Sequence, residues 1–157
     1  MPNTLRWRYG DTNPVLLPVE ADTVIEIGDL VYLDTDDAKP ASAQDDQGTP
    51  TASQHLCHGT FAGVAMQASP AGEDRSIRVA TTGVFEFDCA SDTFEVGDLL
   101  GPSENGAGNA LLDQSAIAVS NVNAAIGRCA KRVAPAGTRV LVDIVSCVLK
   151  GGPQAVA

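Results

Sequence analysis

The side chains that could do chemistry in this chain are few and scattered. His55, Cys57 and His58 fall close together, and such residues bind zinc or activate nucleophiles. A metal set needs further ligands at matching spacing, and no second cluster of Cys or His supplies them. The two histidines therefore read as solvated members of a polar loop, and an enzyme built on His55 or His58 is the weaker alternative. Asp34, Asp36, Asp37, Asp45 and Asp46 are spaced loosely like a calcium loop. They lack the twelve-residue arrangement with its closing bidentate glutamate. The glycines of 101–109 invite a phosphate-loop reading, but neither the Walker lysine nor the dinucleotide spacing is present. Asp29 and Asp98 could form a carboxylate pair, yet nothing nearby would tune their pKa values. The expectation is no catalytic residue, no cofactor and no metal.

The two aspartates carry a different signal. Glu26-Ile27-Gly28-Asp29-Leu30 returns as Glu95-Val96-Gly97-Asp98-Leu99, at an offset of 69 (97 − 28). A second echo keeps the same order: Gly63 then Pro70-Ala71-Gly72 matches Gly127 then Pro135-Ala136-Gly137, offset by 64 to 65. Ordered echoes point to two related units in tandem, which must be settled before any fold is assigned. Gly28-Asp29 and Gly97-Asp98 each divide runs of β-rich residues, so strand, tight bend, strand is expected twice. Gly72 and Gly137 mark two further turns.

Composition limits the partners. The chain has 157 residues, 44% hydrophobic but only 4% aromatic, so the core should rest on Val, Ile, Leu and Ala. Twenty acidic residues against ten basic give a formal charge of −10. That field repels phosphates, so nucleic acid is not expected as a partner. No apolar run is long enough for a membrane-spanning helix, and nothing apolar follows Arg6 and Arg8 as a secretory leader requires. Cys57, Cys89, Cys129 and Cys147 have no paired spacing and read as free, buried thiols.

Taken in order, the chain should be all-β: a small barrel or sandwich of two tandem units with an extended N-terminal arm. The arm is residues 1–22, where Pro14 and Pro18 disfavour helix. A single β domain follows over 23–150, with units near 23–90 and 91–150, and a flexible tail over 151–157. Within the arm, Arg6, Trp7, Arg8 and Tyr9 are interface-anchoring types. They read either as a contact surface or as a frayed end with one aromatic tucked on the body. Residues 34–60 are expected as a long polar loop. Residues 138–149 form the central strand, and Arg128, Lys131, Arg132 and Arg139 form a salt-bridged surface patch.

Placed in sequence, G-D-L-V (28–31), F-A-G-V-A (61–65), P-A-G (70–72), T-T-G-V-F-E-F (81–87), V-G-D-L-L (96–100), A-I-G-R-C (125–129) and P-A-G-T-R-V-L-V (135–142) resemble the tailed-phage capsid cement, or head decoration, proteins. The resemblance covers about 23–146. It implies a non-enzymatic protein on the exterior of a mature phage head, made in the host cytoplasm. Its implied partners are the major capsid protein and two further copies of itself in a homotrimer. A small ligand-binding β-barrel is the competing class, and the aromatic-poor core offers few large side chains to line a cavity.

Overall fold

The computed structural model describes residues 3–106 and 110–147; the tail expected over 151–157 lies outside them. The Gly-Asp repeat builds one object twice. In Glu26-Ile27-Gly28-Asp29, the Asp29 amide donates to the Glu26 carbonyl at 3.1 Å, and Asp29 Oδ2 accepts from the Glu26 amide at 2.9 Å. The corresponding distances at Glu95 and Asp98 are 3.1 and 2.8 Å. Gly28 and Gly97 take φ of +100° and +94°, the left-handed backbone that a type II turn requires at its third residue.

Each turn is braced from a neighbouring segment. Gly28 N donates to Ala65 O, and Ala65 N to Asp29 O, both at 2.9 Å. Gly97 N donates to Cys129 O at 2.9 Å, and Cys129 N to Asp98 O at 2.8 Å. The strands that follow repeat the correspondence. Leu30 faces Val64 and Val31 faces Gly63, as Leu99 faces Arg128 and Leu100 faces Gly127. A methyl group on Gly63 would strike the Ala80 carbonyl oxygen, and one on Gly127 the Asp143 carbonyl oxygen. This close approach is why the second echo also keeps its glycine.

The strands are β1 (Trp7–Tyr9), β2 (Val15–Val19), β3 (Leu30–Asp34), β4 (Asp37–Pro40), β5 (Phe61–Ala65), β6 (Arg75–Ala80), β7 (Thr82–Phe94), β8 (Leu99–Glu104), β9 (Leu111–Ala118), β10 (Gly127–Cys129) and β11 (Val133–Val145), with helix α1 at Pro50–Thr60. One sheet runs β1-β7-β11-β10-β8-β9, and a parallel bridge from Asp88 to Ser115 joins β7 to β9. That bridge closes β7 to β11 into a five-stranded barrel. The other sheet runs β2-β6-β5-β3-β4, and its end strands β2 and β4 lie beside each other. Replacing β2, β3, β4, β5 and β6 by β7, β8, β9, β10 and β11 converts one order into the other. The expected all-β architecture of two related units is what the chain adopts.

Register also places the start of the first unit. Val15 pairs with Val79 and Leu17 with Ile77, as Phe85 pairs with Val142 and Phe87 with Val140. The first unit therefore opens at β2, within the stretch read as an arm, and β7 opens the second. No identity links β2 to β7, so sequence echoes could not reveal this. Pro18 is tolerated because β2 ends its sheet and has a free side.

Two clusters fill the body. Val19, Ile25, Val31, Ala38, Ala65, Ile77 and Val79 pack inside the first barrel. The opposite face of the same strands, Leu30, Val64 and Ala80, joins Phe85, Phe87, Phe94, Leu100, Val140, Val142 and Ile144 of the second barrel. The core is aliphatic as expected, with all four phenylalanines added to it. β11 lies between β7 and β10, the central place expected of it. Only one of its faces is buried, however, since Asp143 and Val145 are exposed.

Residues 34–60 are not a loop. β4, a short 3-10 helix (Ala41–Ala43) and α1 occupy them. Thr49 caps α1 by accepting from the Ala52 amide at 3.1 Å, and Pro50 follows it, both standard helix-start chemistry. Pro135-Ala136-Gly137 likewise lies within β11, at irregular pairing opposite Asp92, rather than at a turn. Gly72 does sit in a turn, donating to Ala21 O at 2.7 Å.

The twin glycines give a direct test. Gly97 has open space around it, so Gly97→Ala should cost backbone strain alone, about 1–2 kcal/mol. A methyl group on Gly28 meets the Thr4 carbonyl and the Arg6 side chain, so Gly28→Ala should cost clearly more. Denaturant melts of the two variants check this, and equal losses would contradict it.

Candidate contact surface

β1 sits at the outer edge of the second barrel, paired with β7 through Trp7↔Phe85 and Tyr9↔Val84. The register slips between Trp7 and Tyr9, so the two pair with neighbouring residues of β7 and strand alternation does not set them on one face. Leu5, just before β1, Trp7 and Tyr9 leave 62%, 39% and 51% of their surface exposed. Three exposed large apolar groups so close in sequence make an unusual surface for a chain with so few aromatics. The segment is held firmly. Trp7 Nε1 donates to Gly10 O at 3.0 Å. Arg8 donates to the Leu5 and Trp7 carbonyls at 3.3 and 3.1 Å, and to Glu86 at 3.0 Å.

Arg6 does not belong to that surface, contrary to its expected role. It is 2% exposed and is bound within its own chain. Its Nε donates to Gln114 Oε1 at 3.0 Å, and both terminal nitrogens reach Asp88 at 3.2 Å. Gln114 Nε2 in turn donates to Asp29 Oδ1 at 2.8 Å. The N-terminal segment, the turn of the first unit and strands β7 and β9 of the second are thus clasped by one polar network. Asp88 also receives Arg139 Nε at 2.9 Å. A buried guanidinium is tolerable only when so completely paired.

The twin turns differ in consequence. Asp98 is exposed, whereas Asp29 is 4% exposed under Gln114. Burial raises the Asp29 carboxyl to about 6, opposed by its hydrogen bonds from the Glu26 amide and Gln114, with Asp113 and Glu26 adding repulsion. Each carboxylate is committed to its own turn, so the two do not form a pair for acid–base chemistry.

The histidines lie on α1, not in a loop. His58 is buried and its Nδ1 donates to Ala125 O at 2.7 Å. All four cysteines are free. Burial pushes the Cys57 thiol up to about 12, with Cys147 beside it, and Cys147 up to about 11. Burial raises Cys89 and Cys129 too. Such thiols are poor nucleophiles. Asp34 is paired with Lys39 at 2.8 Å, and Asp46 accepts from the Gly48 amide at 2.7 Å. Two of the four basic patch residues are salt-bridged, Arg132 to Glu95 at 3.0 Å and Arg139 to Glu86 at 3.3 Å, while Arg128 donates to the Gly97 carbonyl at 2.8 Å.

A family model described as phage cement protein matches residues 48–144, more than half of the chain. The chain belongs to the phage cement protein family. No curated protein matches it. The match runs from just before α1 to the penultimate residue of β11, and so covers all but the last residue of the second barrel's strands. A cement protein is a structural part of the virion capsid, consistent with the side chains just described. In this cement protein the exposed Leu5, Trp7 and Tyr9 lie outside the matched residues.

Sequence reasoning missed Gln114 and Asp88, because a clasp between residues 82 and 108 positions apart leaves no local pattern. Arg6→Ala should destabilise by about 2–4 kcal/mol, since it leaves Gln114 and part of Asp88 without a donor. Arg8→Ala should cost about 1 kcal/mol or less. Asp29 supplies a pH test. Between its ordinary 3.8 and about 6, the folded chain holds a proton that the unfolded chain has lost. Wild-type stability relative to Asp29→Asn should therefore fall as pH rises through that window, by up to about 3 kcal/mol. Parallel pH profiles for the two proteins would contradict this.

Proposed function

We propose that this cement protein binds the exterior of the mature phage head as a homotrimer and stabilises the shell against internal pressure. The observation that carries the reading is the exposure of Leu5, Trp7 and Tyr9 at the outer edge of the second barrel, on a segment held by hydrogen bonds of Trp7 and Arg8. A shell under pressure fails where subunits separate. A cap touching several subunits makes separation costlier, and binding only the mature lattice stabilises that lattice by mass action. Each contact can be weak when three act together. Four free thiols fit synthesis in a reducing host cytoplasm. The major capsid protein is the intended partner of these side chains, through an apolar patch of its own.

The barrel interiors are filled by side chains, which weighs against the ligand-binding alternative. Removing residues 2–20 would take β1, β2 and Arg6 with it, so point substitutions are the cleaner test. Trp7→Asp and Tyr9→Asp should keep the wild-type melting temperature within a few degrees and lose at least tenfold in occupancy on purified heads. Occupancy is read by electron microscopy and gel densitometry. Wild-type occupancy by both folded variants would refute the proposed surface.

A further inference from the structure

We propose that this cement protein carries a pocket for one tyrosine side chain of a partner protein, between the last turn of α1 and the outer face of the second barrel. Along β8, β10 and β11, Leu100, Cys129, Val142 and Ile144 are buried in the barrel. Alternation turns Leu99, Arg128, Asp143 and Val145 outward. These four, with Val122, Ile126 and His58, surround a concavity of about 210 Å³. Val122 and Val145 stand on its wall at 48% and 40% exposure, and Ala125 adds only a methyl group.

His58 gives the pocket its chemistry. It is 6% exposed, and its Nδ1 donates to the Ala125 carbonyl at 2.7 Å. A carbonyl only accepts, so the proton of the neutral ring is on Nδ1 and Nε2 is left as an acceptor. Among the described residues Nε2 is buried and has no hydrogen-bond partner. Buried polar groups left unpaired are rare and costly. Apolar walls around one unpaired acceptor call for a ring that ends in a donor, and tyrosine is such a side chain.

Size and mouth select a side chain over a free small molecule. Pockets for drug-sized ligands run to about 300–1,000 Å³, and this one is smaller. Arg128 and Asp143 pair across β10 and β11 at its mouth, both exposed. Arg128 Nη1 donates to Gly97 O at 2.8 Å, which holds its guanidinium there. Opposite charges side by side suit the carbonyl and N–H of the peptide that carries the ring. Aromatic side chains seated in such pockets are common anchors of protein interfaces. None of Leu5, Trp7 and Tyr9 lines the pocket, so the inference stands apart from the surface proposed above.

The test titrates the full chain by nuclear magnetic resonance with three probes: N-acetyl-tyrosine methylamide, its phenylalanine counterpart, and p-cresol, the bare tyrosine side chain. The tyrosine amide should shift the amide signals of Ala125, Gly127 and Val145 and the Nε2 signal of His58, with a Kd near or below about 1 mM. The phenylalanine amide should bind about fivefold more weakly, the loss of one hydrogen bond. p-Cresol, lacking the peptide, should also bind more weakly. His58→Asn keeps a donor for Ala125 and removes Nε2, so it should bind the two amides alike. Val145→Asp, on the exposed wall, should weaken both. Equal binding of the two amides by wild type, an unmoved His58 signal, or no shift at the pocket up to about 10 mM overturns the proposal. p-Cresol binding as tightly as the tyrosine amide would make a free phenol the occupant and overturn the assignment to a protein partner. The wild-type comparisons decide the matter even where a variant fails to fold.

Discussion

Two reciprocal backbone hydrogen bonds hold each barrel in register: glycine and aspartate of the turn exchange N–H···O contacts with one residue of a distant segment. Left unmade, each would strand a polar group at a cost of about 1–3 kcal/mol. The turn therefore demands glycine for its backbone and aspartate to bind its own first amide. From it the partner strands run out with their pairing fixed, and a slip of one residue would reverse every buried side chain. That is why these few residues survive nearly unchanged in two units that otherwise differ.

What is not duplicated joins the two barrels into one body. β1 is added to the second barrel alone, and α1 to the first. α1 lies across the join, with Gln54 on Pro102 and His58 on Ala125. Arg6 ties the N-terminal segment to both units through Gln114 and Asp88. This clasp explains how a strand of three residues can present Trp7 and Tyr9 rigidly. A loose arm carrying the same aromatics would lose conformational entropy on docking.

The duplication and the all-β class were legible because turn chemistry is local: glycine and aspartate act within four residues. Free cysteines and the aliphatic core followed from composition. The opening of the first unit at Val15 was hidden, since β2 and β7 share strand register but not residues. α1 was hidden behind its polarity, with Ser53, Gln54 and His58 buried where apolar residues are expected, although Thr49-Pro50 was a usable start signal. At the contact surface, the interface-anchoring types of Trp7 and Tyr9 were readable. The inward turn of Arg6 was not, because its partners lie on strands far along the chain.

The proposed role of this chain is to reinforce a shell. Heating DNA-filled heads with and without the protein, with a dye that reports released DNA, measures that most directly. Saturating protein should raise the release temperature by several degrees, and an unchanged release temperature on fully decorated heads would contradict the account.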